Sequence, residues 1–213
     1  MKHLLVTNDF PPKIGGIQNV LYEWWRRLPP ENFAVLTSPY RGAQEFDAAQ
    51  KFLVKRITEP VLLPHPLMVR RINQMAQKVG AELVVIDPAV PLGIVGPWLD
   101  LPYAVVLHGA EVTVPGRLPV TSKLLGNVLR KASGIIASGT YPAQEARRAA
   151  RRDLDITIVT PGVDFSRFRE LSQQQKLNAR KHLGINDDAE LIVGVSRLVP
   201  RKGFDILIRA AAH

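Results

Sequence analysis

The sequence predicts an α/β fold in which a Rossmann-like parallel sheet carries helices on both faces. Short runs rich in Val, Ile and Leu alternate along the chain with stretches of helical spacing, an order typical of parallel sheets. Most runs lack polar alternation, as strands buried on both faces do. The 213 residues are 46% hydrophobic, which allows one sizeable core and leaves no room for a second domain of ordinary size.

Seven apolar runs are predicted to form the strands of this sheet. In chain order they are HLLVTN (3–8), FAVLTS (33–38), KFLVKRI (51–57), ELVVID (82–87), YAVVLHG (103–109), GIIASG (134–139) and ITIVTPG (156–162). The predicted helices between them are IQNVLYEWWRRL (17–28), PLMVRRINQMAQKVG (66–80), TSKLLGNVLRKA (121–132) and PAQEARRAARR (142–152). Each helix then forms the crossover between two parallel strands.

The last part of the chain differs in composition and predicts a separate unit. Residues 169–190 are polar, LIVGVSR (191–197) predicts a new strand, and FDILIRAAA (204–212) predicts a new helix. We therefore expect a first domain over 1–170, a linker over 171–190, and the first strand–helix unit of a second domain over 191–213. Because one such unit cannot bury its own apolar faces, the chain is expected to be part of a longer protein.

The overall charge indicates anionic partners. Lys and Arg number 28 against 19 acidic residues, a formal charge of +9, which favours phosphates, nucleotides, lipid headgroups or nucleic acid. Cysteine is absent, and no stretch has the pattern of a signal peptide or a membrane span, so a cytoplasmic protein is expected. The sequence contains no GxxxxGK[ST], HExxH or GxSxG motif, no metal-ligand spacing and no recognisable nucleic-acid-binding module.

Two motifs follow predicted strands, where open parallel sheets bind ligands. Gly15 and Gly16 open a helix after the first strand, and glycine allows a phosphate to approach the backbone N–H groups closely. The same glycines would equally serve a tight turn. His108 ends YAVVL and can hydrogen-bond a sugar hydroxyl or orient a reacting group, although a histidine with a purely structural role would look the same.

Further basic residues form two groups. Arg197 and Lys202 flank a predicted strand-to-helix turn. The guanidinium of Arg197 can bind two phosphate oxygens and the ammonium of Lys202 adds a compact charge, which together suit a diphosphate. The other interpretation is a solvated basic loop. The helix at 121–132 turns Lys123, Arg130 and Lys131 away from its leucines, including Leu124, which suits a surface near anionic headgroups. A helix packed on the core with a solvated basic face would also have this pattern.

Four motifs in this order carry a resemblance: VTNDFPPKIGGIQ, HGAE, TPGVDFSRF and SRLVPRKGFDILIRA. Together they resemble the retaining glycosyltransferases of the GT-B fold, and VTNDFPPKIGGIQ with SRLVPRKG resembles the GDP-mannose-dependent phosphatidyl-myo-inositol mannosyltransferases. The resemblance spans the chain but covers only the N-terminal half of such an enzyme. It implies the N-terminal domain of a GT-B fold followed by the start of the second domain.

The resemblance also implies roles for individual residues. Gly15 and Gly16 would lie against the donor diphosphate, which Arg197 and Lys202 would neutralise, and His108 would lie near the donor sugar. Asp9, in the loop before the glycines, would contact the acceptor. No metal or other cofactor is implied, since GDP-mannose enters as a substrate.

The function implied is transfer of mannose, with retention, to a phosphatidylinositol mannoside-type lipid by a peripheral protein at the inner face of the plasma membrane. The glutamate-bearing donor motif of the family has no counterpart in these residues, so the chain alone is expected to be inactive. Two alternatives remain open: a retaining hexosyltransferase that uses a UDP-sugar and a soluble acceptor, and a non-catalytic module that binds an anionic headgroup or nucleotide. Nucleic acid is not an expected partner.

Overall fold

A computed structural model, which describes residues 1–211, shows a seven-stranded, all-parallel sheet. The order across the sheet is β3-β2-β1-β4-β5-β6-β7. The strands are β1 (His3–Thr7), β2 (Phe33–Thr37), β3 (Leu53–Arg56), β4 (Leu83–Asp87), β5 (Tyr103–Leu107), β6 (Gly134–Ala137) and β7 (Thr157–Ile158). Every predicted strand of the first domain is present, and the predicted fold class is confirmed.

Eight α-helices accompany the sheet within the described residues. They are α1 (Gly16–Trp25), α2 (Ala43–Ala48), α3 (Pro66–Val79), α4 (Ala110–Arg117), α5 (Pro119–Lys131), α6 (Thr140–Ala150), α7 (Gln173–Leu183) and α8 (Phe204–Ala210). Short 3-10 helices cover Pro30–Asn32, Leu92–Trp98 and Pro200–Lys202. Helices α2 and α4 are not among the predicted elements, and Ala212, the predicted end of the last helix, lies outside the described residues.

Helices cover both faces of the sheet, as predicted, because alternate side chains of each strand point to opposite faces. On one face Leu4, Val84 and Val105 join a cluster with residues of α3, α5 and α6, and on the other Leu5 and Val85 join a cluster with residues of α1. Two interior strands, β2 and β5, are buried along their whole length. At the edges β3 is only partly buried and β7 is exposed, since an edge strand has a neighbour on one side only.

Helix α3 shows how local sequence determines an element. Pro66 occupies the first turn, and the ring of His65 accepts a hydrogen bond from the N–H of Met68 at 3.2 Å. Gly80 ends the helix with φ 66°, a left-handed conformation that glycine adopts at little cost. Met68, Ile72, Met75 and Ala76 form its buried face. Burying Ile72 completely stabilises the fold by about 1.5–3 kcal/mol.

The chain divides into two compact units, residues 1–162 and 163–213. In the second unit, α7 begins with a capping box: the hydroxyl of Ser172 accepts from the N–H of Gln175, and the side chain of Gln175 accepts from the N–H of Ser172. Gly184, with φ 68°, ends this helix. The domain boundaries predicted at 170 and 190 stay a prediction.

One predicted element of the second unit is wrong. Residues 191–197 are expected to form a strand, but they have no regular secondary structure and pair with no strand among residues 1–211. A parallel strand exists only through hydrogen bonds to a neighbour, and the described residues supply none. The apolar side chains of this segment are exposed, with Val195 at 93%.

Candidate active site

The candidate site lies at the carboxyl edge of the sheet, between β1 and β4. The chain leaves β1 towards β2 on one side and returns from β3 to β4 on the other, so the strand order reverses at this point. In open parallel sheets such a switch point leaves a crevice in which ligands bind. Thr7 and Asp87, the last residues of the two strands, lie side by side in register, and both are buried.

Asp87 and His108 form a buried pair at this crevice. The Oδ1 atom of Asp87 lies 3.2 Å from Nε2 of His108, although the two groups are not aligned as a good hydrogen bond. The other carboxylate oxygen, Oδ2, accepts a hydrogen bond of 2.7 Å from the hydroxyl of Thr7. His108, the residue after β5, thus lies against Asp87, the residue that ends β4.

Burial and charge set the protonation of this pair. Burial raises the pKa of the Asp87 carboxyl, while His108 and Thr7 act against that rise. Burial lowers the pKa of His108, but the contact with Asp87 and the charges of Glu111 and Asp9 outweigh it, so the pKa of His108 is raised above its ordinary value. We therefore expect His108 to hold its proton to higher pH than an exposed histidine.

Helix α1 connects the glycine turn to His108. The helix begins at Gly16, and its Trp24 ring stacks on the imidazole of His108 with centroids 6.2 Å apart and planes inclined by 24°. The glycine turn and His108 follow β1 and β5 at the same edge of the sheet. Both therefore lie at the edge of the sheet where ligands are expected to bind.

The HGAE motif forms the start of α4. Glu111 turns its carboxylate back to accept from the backbone N–H groups of His108 and, at 2.8 Å, of Gly109. Gly109 has φ 145°, which residues other than glycine rarely adopt. The motif thereby fixes the backbone on which His108 is carried.

Asp9 lies in the loop after β1 and is held by two side chains. Its Oδ1 accepts from the ammonium of Lys13 at 2.9 Å and from the amide of Gln18, which is buried in α1. A Cβ on Gly15 would overlap Oε1 of Gln18. Gly15 therefore has a structural role, because its missing side chain leaves room for Gln18 to reach Asp9.

Gly16 differs from its neighbour. No heavy atom lies within 4 Å of the position that a Cβ on Gly16 would occupy, so nothing in the described residues requires glycine there. A backbone N–H without a side chain beside it, at the first turn of a ten-residue helix, is suited to an anion. This arrangement agrees with the predicted contact of Gly16 with a diphosphate, and the role itself stays a prediction.

Arg56 anchors the loop that carries Asp9 and the glycines. Its guanidinium makes two hydrogen bonds of 2.8 Å to the carboxylate of Asp47, one of 2.9 Å to the carbonyl of Ser38 and one of 2.6 Å to the carbonyl of Pro11. Such a bidentate pair is stronger than a single ionic contact. The loop after β1 is therefore tied to the end of β3.

The other predicted diphosphate ligands belong to the second unit. Arg197 and Lys202 are both exposed, and the backbone between them turns through a hydrogen bond of 2.9 Å from the N–H of Lys202 to the carbonyl of Val199. Gly203, with φ 66°, precedes α8. The predicted turn between the two cations and the following helix is present.

The predicted membrane-surface residues lie on α5. Lys123 and Arg130 line a basic pocket of about 460 Å³ together with Arg117 and Arg151. Lys131 is exposed and does not line this pocket. Arg130 donates a hydrogen bond of 3.1 Å to the carbonyl of Ala150. Of the apolar residues of this helix, Leu125, Val128 and Leu129 are buried, whereas Leu124 is 40% exposed.

Several residues of the site carry no recognised motif in the sequence. Asp87 reads as part of a strand, and Trp24 as part of a helix. Thr7 and Gln18 lie within VTNDFPPKIGGIQ, but the sequence assigns neither of them a role. One signal was present: Asp87 is a charged residue that ends an apolar run, and such residues lie at the ligand-binding edge of a parallel sheet. Pairing of Asp87 with His108 could not be read from the sequence, since the two belong to different strands.

No protein-family model matches the chain. Among characterised proteins, it is 32% identical over 97% of its length to the GDP-mannose-dependent alpha-(1-6)-phosphatidylinositol monomannoside mannosyltransferase of Mycolicibacterium smegmatis. It is 31% identical over 98% of its length to the corresponding enzyme for the monoacylated substrate from Corynebacterium glutamicum. The chain spans 56% of the length of each of these relatives. The resemblance predicted from the motifs is confirmed.

Solved structures agree on the fold. HepE of Anabaena, in complex with UDP, superposes with a TM-score of 0.76 at 20% identity, and the match covers 100% of this chain and 57% of that protein. At this identity the likeness concerns the fold alone. The sheet is that of one Rossmann-like domain of a GT-B structure.

Proposed function

We propose that this chain is part of a retaining glycosyltransferase that transfers mannose from GDP-mannose to a phosphatidylinositol mannoside-type lipid. The observation that carries the proposal is similarity over nearly the whole chain to relatives named for this reaction. The β1/β4 switch point supports it, because Asp9 and Gly16 follow β1 and His108 follows β5 at the edge of the sheet where parallel sheets bind ligands.

The proposed mechanism is electrostatic. Breaking the bond between mannose and the diphosphate builds positive charge on the anomeric carbon and negative charge on the departing GDP. Cations and backbone N–H groups aimed at the diphosphate therefore lower the barrier. In this proposal Gly16, with Gly15, borders the diphosphate, and Arg197 and Lys202 neutralise it, so that no metal or other cofactor is required.

Retention follows if the acceptor hydroxyl attacks from the side on which the diphosphate leaves. The departing phosphate can then take the proton of that hydroxyl. This mechanism differs from that of retaining glycosidases, which use a pair of carboxylates. Asp9 borders the acceptor and His108 the transferred sugar. Asp9 already accepts from Lys13 and Gln18 through Oδ1, which leaves Oδ2 as the oxygen to receive an acceptor hydroxyl.

The lipid acceptor implies work at a membrane surface, proposed here as the cytoplasmic face of the plasma membrane. No helix among residues 1–211 is long and apolar enough to cross a bilayer. Leu118, which lines the basic pocket, is 53% exposed, and Val114 and Val120, near it in the chain, are 61% and 72% exposed. Exposed apolar and cationic groups together suit an anionic membrane surface.

The test of the reaction uses the full-length protein with GDP-mannose, UDP-glucose and UDP-galactose as donors. We expect hexose transfer to a phosphatidylinositol mannoside with GDP-mannose only, and loss of transfer on Arg197→Ala or Lys202→Ala. Transfer from a UDP-sugar to a soluble acceptor would replace this proposal by the alternative hexosyltransferase. Nucleotide binding without any transfer would favour the non-catalytic module.

The test of the membrane surface is sedimentation with vesicles. A Lys or Arg at an anionic surface contributes about 1 kcal/mol, so Lys123→Ala with Lys131→Ala should weaken binding to phosphatidylserine vesicles by about 30-fold. Lys78→Ala, which removes one charge from α3, is the control and should have no effect, whereas loss of general charge alone would weaken binding in both variants. Equal binding to neutral vesicles would contradict the proposed surface.

A further inference from the structure

Asp87 is a buried carboxylate to which the proposed reaction assigns no role. We propose that Asp87 is a positioning residue that keeps His108 protonated with Nε2 turned into the protein, so that His108 meets its ligand only as a hydrogen-bond donor, through Nδ1. The proposal deepens the proposed function, on which it rests for the nature of the ligand. The assignment of a proton to Nε2 of His108 rests on the contacts of Asp87 and His108.

The hydrogen bonds of Thr7 place the proton of its hydroxyl. The Oγ1 atom of Thr7 accepts from the backbone N–H of Asp9 at 2.8 Å, and it lies 2.7 Å from Oδ2 of Asp87. A hydroxyl has one proton, and here it is directed at Oδ2. That oxygen therefore acts as an acceptor, as a carboxylate oxygen does.

The second oxygen of Asp87 has His108 as its neighbour. Oδ1 is buried and makes no aligned hydrogen bond among the described residues, and the same holds for Nε2 of His108, 3.2 Å away. Each would be an unsatisfied buried polar atom without the other. A proton on Nε2 satisfies both atoms at once, and it leaves Nδ1 as the ring nitrogen available to a ligand.

The charges around His108 favour its cation. Asp87 faces it from β4, Asp9 from the loop after β1, and Glu111 from α4, and all three raise the pKa of His108. From α1 it meets the uncharged ring of Trp24. Lys13, a cation of the loop after β1, is itself paired with Asp9 at 2.9 Å.

Pairing with Asp87 resolves a conflict in the proposed reaction. A lone imidazolium beside the anomeric carbon would oppose the positive charge that builds there, whereas the His108–Asp87 pair carries no net charge. Both ring nitrogens of an imidazolium are donors. His108 should therefore bind groups that offer an oxygen lone pair, such as a sugar hydroxyl or a phosphate oxygen.

The experiment measures the protonation of His108 in the full-length protein, labelled with nitrogen-15 at its histidines and assigned through a His108→Gln variant. We expect the nitrogen shifts of His108 to titrate above the value of about 6.5 that is usual for a free histidine. Above that midpoint, the neutral ring should keep its proton on Nε2. Asp87→Asn should lower the midpoint.

The matched control is Asp9→Asn, which removes the same charge from the same crevice without removing the contact to His108. It should lower the midpoint less than Asp87→Asn does. Equal effects of the two variants, or a neutral ring protonated on Nδ1, would overturn the proposal. The wild-type spectrum shows which ring nitrogen carries the proton, so the proposal can be tested even if Asp87→Asn does not fold.

The titration needs no substrate, so its failure is distinct from that of the proposed function. If transfer is absent but His108 titrates as expected, the mannosyltransferase proposal fails and the role of Asp87 stands. If transfer occurs but the midpoint does not respond to Asp87, the positioning role fails alone.

Discussion

The substitution Gly16→Ala separates a ligand-binding role of this glycine from a structural one. The structure has room for the added methyl group, since no heavy atom lies within 4 Å of it, and the backbone at Gly16 is not in the left-handed region. Alanine is also the better helix former by about 0.5–1 kcal/mol in a helix interior. We therefore expect the thermal unfolding temperature to be unchanged or raised.

The expected loss is in donor binding. In the proposed contact the diphosphate approaches the N–H groups at the start of α1, and a methyl group at this position would stand in its way. A hydrogen bond to a charged group contributes about 1.5–3 kcal/mol, so losing one corresponds to about a 10- to 150-fold reduction in kcat/KM for GDP-mannose. The expected combination is a stable protein with weak catalysis.

The assay is the initial rate of mannosyl transfer by the full-length protein over a range of GDP-mannose concentrations. Gly139→Ala is the matched control, because Gly139 also lies at the start of a helix, has an extended backbone with φ 175° and has no heavy atom within 4 Å of an added Cβ. It should leave the kinetics unchanged. Wild-type donor kinetics in a folded Gly16→Ala protein would refute the proposed contact.

Three further substitutions test the packing of the first unit. Gly15→Ala should displace the amide of Gln18 and lower the free energy of unfolding, measured by urea titration, by about 1 kcal/mol. In a protein that already carries Gln18→Ala, the same substitution should not lower the free energy of unfolding further. Gly96→Ala places a methyl group 2.5 Å from the buried ring of Tyr103 and should cost about 1–3 kcal/mol by the same measurement. Arg151 has a left-handed backbone with φ 54°, so Arg151→Gly should stabilise the folded protein by about 1 kcal/mol, seen as a rise in melting temperature. Because Arg151 lines the basic pocket, the same substitution should weaken binding to anionic vesicles.

The strands and most helices of the first domain could be predicted because their signals are local. The run YAVVL predicts a strand buried on both faces, and β5 is buried throughout. Pro66 and Gly80 mark the ends of α3 within the sequence itself. Such features depend on a few neighbouring residues, so one sequence is sufficient to find them.

The errors occur where structure depends on a distant partner. LIVGVSR has the composition of a strand, but residues 191–197 find no strand to pair with among the described residues. The exposure of Leu124 could likewise not be read from the apolar spacing of α5, since which side of a helix is covered depends on the elements that pack against it. Helix α4 is a different, local case: it contains Pro115, and proline predicts a break rather than a helix.

The sequence by itself determined the alternating architecture, the positive charge and the candidate residues His108, Gly15 and Gly16, because composition, periodicity and motif are properties of short segments. Only the tertiary structure decided what surrounds them: that Asp87 reaches His108, that Trp24 stacks on it, and that Gly15 makes room for Gln18. Parallel strands bring together chain positions that are far apart in sequence, and burial then gives those contacts their electrostatic strength.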